Sequence, residues 1–126
     1  MKVLFVCTGN TCRSPFAAAV ARREGLDASS AGLDVLQLRA TDDAVAVARE
    51  FGIDLGLHTT RRLTDDVVAE ADVVVGMSER HAAALGAGAR VLGGGVDDPY
   101  GRGPDAYRSA YAQIEGAVLS LAEELR

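Results

Sequence analysis

Val73, Val74 and Val75 stand together between Asp72 and Gly76-Met77, a short run with no polar residue inside it. A strand that is apolar on both of its faces must be covered on both, which is the condition of a parallel sheet held between layers of helix. The rest of the chain supplies such layers in alternation. Lys2 to Val6 is a second β-branched run, followed by a Gly-containing turn and then Ser14-Pro15, which fits a helix start with Pro at its first helical position. That helix runs through Phe16, the alanines and Val20 to Arg22 and Arg23, and ends near Gly25.

Asp27 to Ala31 reads as a short strand closed by Gly32. Thr41-Asp42-Asp43 and Thr64-Asp65-Asp66 each supply an N-cap and an acidic first turn. The first opens a helix that stops at Phe51-Gly52, the second a shorter one through Val67, Val68 and Ala71. Asp72 to Met77 is the buried strand, Ser78 caps a helix through Ala84 and Leu85, and Ala89 to Leu92 is a fourth strand before Gly93-Gly94-Gly95. A last helix begins near Pro104, where Tyr107, Tyr111, Ile114, Val118, Leu121 and Leu125 recur at steps of four and three and form one apolar stripe. The alternation predicts one α/β domain over residues 1–126 with a mostly parallel sheet, and ligands in such folds bind beyond the carboxyl ends of the strands.

Charge and cysteine usage narrow the function. Thirteen Lys and Arg against eighteen Asp and Glu leave a net charge of −5, the wrong sign for a protein that grips a nucleic-acid backbone or an anionic membrane. No apolar run approaches the roughly 20 residues of a membrane span. Leu4-Phe5-Val6-Cys7 has a loose likeness to a lipoprotein cleavage site, but a single Lys2 before so short a run is a poor secretion signal. A soluble cytoplasmic protein is expected. Cys7 and Cys12 lie in one turn-like segment and cannot staple distant parts of a fold. Without a second ligand cluster, and with His58 and His81 isolated, no zinc site and no cofactor are expected; His81 reads as a surface residue.

Cys7-Thr8-Gly9-Asn10-Thr11-Cys12-Arg13-Ser14 occupies the end of the first strand. Amide N–H groups of a tight loop and a helix N-terminus converge on an anion there, so Thr8 to Arg13 are the candidate phosphate-binding residues. Arg13 adds a planar fork for two phosphate oxygens, and the same field favours the thiolate of Cys7. Gly9 permits close approach, Asn10 tolerates a left-handed conformation and Ser14 has a hydrogen bond to give. A thiolate that attacks phosphorus also needs a proton donor for the leaving group. Asp97-Asp98-Pro99-Tyr100-Gly101 follows the fourth strand, hence lies at the same sheet edge, and Pro99 restricts Asp98 to extended backbone; an ordinary Asp-Pro turn accounts for the same residues.

Cys7-x5-Arg13-Ser14-Pro15 and Asp98-Pro99-Tyr100 together resemble the low-molecular-weight protein-tyrosine-phosphatase family, with Ser30-Ala31-Gly32, His58, Leu63-Thr64 and Ala71 to Met77 matching between them in the family's order. The resemblance implies a four-stranded parallel sheet flanked by helices and a metal-free, two-step reaction on phosphorylated proteins. It makes Cys7 the nucleophile, Arg13 the phosphate ligand and Asp98 first the acid and then the base. It also implies that Ser14 hydrogen-bonds the Cys7 sulfur, that Ser14, Ser30 and His58 hold Asn10 in its strained turn, and that Cys12 forms a protective disulfide with Cys7 under oxidants.

The loop looks like that of the protein-arginine-phosphatase branch, because Thr11 stands where tyrosine-specific members usually carry a bulkier apolar residue. Tyr100 is the evident aromatic wall of the pocket, and Gly101 follows it where many tyrosine-specific relatives have a second aromatic; Asp34, in the loop after Gly32, is a candidate to face a guanidinium, although a solvated loop carboxylate accounts for it better. Phosphoarginine is thus slightly favoured over phosphotyrosine. Two other chemistries use a similar loop: arsenate reduction coupled to an external thiol, and phosphocysteine transfer to a sugar. The second has no need of both Arg13 and Asp98.

Overall fold

A computed structural model describes residues 1–126. Four strands, β1 (Lys2–Cys7), β2 (Asp27–Gly32), β3 (Val73–Gly76) and β4 (Arg90–Val91), form one sheet in the order β2-β1-β3-β4. Every pairing is parallel. Five helices flank it: α1 (Arg13–Arg23), α2 (Asp42–Glu50), α3 (Asp65–Ala69), α4 (Glu79–Leu85) and α5 (Pro104–Leu125). The chain leaves β1 toward β2 on one side and later returns to β3 on the other, so strand order reverses at β1. Cys7 ends that strand opposite Gly32, and its neighbour Val6 lies opposite Gly76. A loop leaving β1 therefore opens into the crevice where open α/β sheets bind ligands.

Both faces of β1 are covered. Val3, Phe5 and Cys7 point into the larger core with α1, α2 and α5, while Leu4 and Val6 pack with Ala31, Leu63, Val67 and Val74 on the opposite face. The apolar stripe of α5 is buried at Tyr107, Tyr111, Ile114, Val118 and Leu121. Tyr111 stacks on Phe16 of α1 with ring centroids 3.9 Å apart, so the last helix braces the first helix at the end that carries the loop. The Thr41, Thr64 and Ser78 side chains accept the capping N–H bonds of α2, α3 and α4.

Four boundaries differ from the sequence reading. α1 begins at Arg13 with Cys12 at its N-cap and no side-chain cap, because the Ser14 hydroxyl is engaged elsewhere. Pro15 is thus third in the helix, still within the first turn, where a missing N–H costs nothing. α3 stops at Ala69, and β3 ends at Gly76. β4 keeps only Arg90 and Val91, since Leu92 enters a 3-10 turn in which Gly93 has φ 55°. His81, expected at the surface, is 1% exposed. The reason is Gly76: a Cβ there would stand 2.5 Å from the Ala82 nitrogen and 2.9 Å from the His81 Cβ, so its absence lets α4 lie directly on the end of β3.

Candidate active site

Residues Thr8–Cys12 join β1 to α1 with their two backbone polarities separated. The carbonyls of Cys7, Thr8, Asn10, Thr11 and Cys12 are tied into the protein: Leu33 N–H donates to Cys7 O (3.1 Å), Asp34 N–H to Thr8 O (2.8 Å), Thr41 N–H to Thr11 O (3.2 Å), His58 Nε2–H to Asn10 O (2.8 Å) and the Tyr111 hydroxyl to Cys12 O (2.7 Å). None of the N–H groups of Thr8 to Cys12 donates a hydrogen bond within the protein. A run of amides with no internal acceptor, at the head of a helix, is a concave donor surface for an anion.

Asn10 sets that shape. It is the one non-glycine residue with positive φ, 57°, and it is fully buried. Its Nδ2 donates to Ser14 Oγ (2.8 Å) and Ser30 Oγ (2.9 Å), and its Oδ1 accepts from Arg61 N–H (2.9 Å). Gly32 makes room, since a Cβ on it would come within 2.8 Å of Thr8 O and 2.9 Å of Asn10 N. His58 is held neutral chiefly by burial, which outweighs the opposing effect of its bond to Asn10 O. Ser14 Oγ, fed by Asn10, lies 3.0 Å from Cys7 Sγ. It accepts from Asn10 on one of its two lone pairs, and its proton points to the sulfur or to Ala31 O at 3.5 Å.

Arg13 is 4% exposed. One terminal nitrogen donates to Val96 O (2.8 Å), and the other lies 3.7 Å from an Asp98 carboxylate oxygen. Its Nε is buried with no acceptor in the protein, a desolvated cationic donor that an oxyanion would satisfy. Asp98 is half exposed, and its other oxygen accepts the Tyr100 N–H at 3.1 Å. Cys7, Thr8, Gly9, Thr11, Cys12 and Arg13 form the floor of a cavity of about 190 Å³ whose rim carries Asp34, Leu36, Gln37, Asp98 and Tyr100. The structure thus brings every residue predicted from the sequence to this cavity or to the shell that holds its loop.

Several neighbours escaped the sequence reading. Gln37 Nε2 donates to the Tyr100 hydroxyl (3.1 Å) across the mouth. Behind the loop, Tyr107 Oη lies 3.1 Å from Cys12 Sγ and 2.7 Å from Thr41 Oγ1. Burial pushes the Cys12 thiol up from its ordinary range and the Tyr107 phenol well up too. On the far side, His81 Nε2 lies 3.0 Å from Thr8 Oγ1. These contacts join residues dozens of positions apart in chain, and periodicity assigns Tyr107 simply to the core.

The chain matches, over residues 2–126, the family model of low molecular weight phosphotyrosine protein phosphatase. It is 33% identical to the Wzb low molecular weight protein-tyrosine-phosphatase of Salmonella typhimurium, over 98% of this chain and 93% of that protein. It is also 33% identical to the protein-arginine-phosphatase of Bacillus subtilis, over 100% of this chain and 97% of that protein. Among solved structures, the YwlE arginine phosphatase from Geobacillus stearothermophilus superposes with a TM-score of 0.89 at 30% identity, covering 98% of this chain and 92% of that one.

Proposed function

Because this chain belongs to the low molecular weight phosphotyrosine protein phosphatase family and is a cysteine-dependent protein phosphatase, we propose that Cys7, Arg13 and Asp98 carry its reaction and that its preferred substrate is phosphoarginine on proteins. The carrying observation is the loop of unpaired amides between Cys7 and Arg13, with four of its five carbonyls, those of Thr8, Asn10, Thr11 and Cys12, tied into the protein.

In this reading the Thr8 to Cys12 amides and Arg13 hold the three non-bridging phosphoryl oxygens and the charge that grows on them. The Cys7 thiolate, steadied by the Ser14 hydroxyl, attacks phosphorus opposite the leaving group. Asp98, at the cavity rim, protonates the departing nitrogen or oxygen as a phosphocysteine forms. It then takes a proton from the water that attacks the phosphocysteine, so that the thiolate and orthophosphate are released. The proton donor matters for both substrates, since a phenol has pKa about 10 and a guanidine above about 12.

The preference for phosphoarginine rests on the rim and floor. Thr11 puts a hydroxyl beside the reacting centre, Asp34 is an exposed carboxylate on the lining, and Tyr100 is the one aromatic residue there. A guanidinium gains from the first two, whereas an aryl ester gains more from apolar walls. Cys12, buried beside Tyr107, is the partner for an oxidised Cys7. Both cysteines are free, and a reactive thiol of this kind suits the reducing cytoplasm, where we place the protein. No helix is long and apolar enough to cross a membrane. We treat residues 1–126 as a single domain that works without a cofactor.

The test is orthophosphate release from matched phosphoarginine and phosphotyrosine peptides. Cys7→Ser should abolish release from both, and Thr11→Ile should move the preference toward phosphotyrosine. A clear preference of the parent for phosphotyrosine, unchanged by Thr11→Ile, overturns the substrate reading and leaves the phosphatase intact.

A further inference from the structure

Thr8 is the first residue of the loop, and it is pinned from two sides. Its carbonyl accepts the Asp34 N–H at 2.8 Å from the segment after β2. Its hydroxyl is gripped from the opposite side by α4, where His81 Nε2 lies at 3.0 Å and Arg80 donates a terminal N–H at 2.7 Å. Behind the imidazole, His81 Nδ1 lies 2.8 Å from the Ser78 hydroxyl, which also caps the helix by accepting His81 N–H at 3.4 Å. Both ring nitrogens of a buried histidine are therefore paired with hydroxyls, and one of those hydroxyls belongs to Thr8, a residue that lines the cavity. Each tautomer of the neutral ring completes the chain, donating on one side and accepting on the other. Burial, then the charges of Arg13 and Arg80, keep the ring neutral against the opposing pull of Asp98.

We propose that His81 is a positioning residue of the phosphatase reaction: backed by Ser78, and with Arg80 beside it, it fixes the Thr8 side chain and so aims the first amides of the loop at the phosphoryl group. The proposal rests on the assignment of those amides to phosphate. Two restraints on opposite sides of Thr8 determine the tilt of its flanking peptide planes. With only the Asp34 bond left, Thr8 and Gly9 would rock about it, and their N–H groups would meet the oxyanion at poorer angles. Gly76 is part of the device, because without its missing Cβ the imidazole does not come within reach of Thr8.

The probe is inorganic orthophosphate, read as the inhibition constant against an activated aryl phosphate alongside kcat and KM. His81→Leu, which keeps an apolar filling, is expected to weaken orthophosphate about fivefold, the effect of one neutral hydrogen bond. Thr8→Val, which deletes the Arg80 bond as well, should weaken it by at least that factor, and adding His81→Leu to Thr8→Val should weaken it no further, because the His81 contact is already gone. His81→Gln, which returns a side-chain amide toward Thr8, and Thr8→Ser, which keeps the hydroxyl, should restore binding to within twofold. If His81→Leu fails to fold, the Thr8 pair decides: orthophosphate bound by Thr8→Val as tightly as by the parent overturns the proposal. So does a double variant whose loss is the product of the two single losses. Failure of the underlying phosphate assignment looks different, since the parent itself would then not be inhibited by orthophosphate.

Discussion

Asn10 spends its whole side chain on holding a left-handed backbone, and its neighbours are arranged around that expense. Replacing it by Ala deletes donors to two buried hydroxyls and the acceptor of Arg61 N–H while leaving φ at 57°. A loss of about 3 kcal/mol is expected, from the unpaired partners and the left-handed strain, with turnover falling alongside; urea unfolding and peptide dephosphorylation check both. Asp98 yields a prediction of another kind. Asp98→Asn removes the proposed proton donor, so it should spare activated aryl phosphates and slow phosphoarginine peptides most. Equal slowing of both would remove Asp98 from the role of acid. The proposed pairing of Cys12 with Cys7 has its own test: in that reading peroxide takes Cys7 to a sulfenic acid, which condenses with the Cys12 thiol to a disulfide with loss of water. Peroxide inactivation of Cys12→Ser should therefore be less reversible by thiols than that of the parent.

Elements meet here through missing atoms as much as through contacts. Gly32 lets the loop pass over the end of β2, and Gly76 lets α4 settle on the end of β3. Gly76→Ala places a methyl group 2.5 Å from a backbone nitrogen that cannot rotate away, so α4 must move bodily. A cost of about 1–3 kcal/mol is expected in denaturant unfolding, and orthophosphate inhibition should weaken as His81 is carried off Thr8. Helix starts with a threonine or serine cap, at Thr41, Thr64 and Ser78, were legible in the sequence because each hydroxyl still accepts its capping N–H, at Thr41 and Ser78 alongside a second partner. The start of α1 was not, for the opposite reason. Ser14 has the composition of a cap but gives its hydroxyl to Asn10 and Cys7, so the helix begins at Arg13 with its first amides unclaimed.

At the scale of the whole molecule, His81 is buried and His58 half-buried, both with lowered pKa, and this makes the fold acid-sensitive. His81 is held down to about 4 and His58 is also lowered, while in the unfolded chain both return to the ordinary imidazole range near 6.5. The unfolded state therefore binds more protons as pH falls from about 6.5 toward 4, and stability declines across that window. His81 contributes up to about 3 kcal/mol of this loss, taking 1.36 kcal/mol per unit of pKa. Urea unfolding at pH 7, 5.5 and 4.5 should show the decline, and His81→Gln, which does not titrate, should flatten it. Local periodicity and the Cys7 to Ser14 motif determined the α/β alternation, the parallel sheet and the loop with its catalytic candidates, because those signals are carried by residues close together in the chain. Which way the amides face, what grips Thr8 and why His81 leaves the surface were decided by tertiary structure alone. They depend on Asp34, Thr41, His58, Arg80 and Tyr111 arriving around one loop from separate elements, and no local pattern encodes where a distant hydrogen-bond partner will stand.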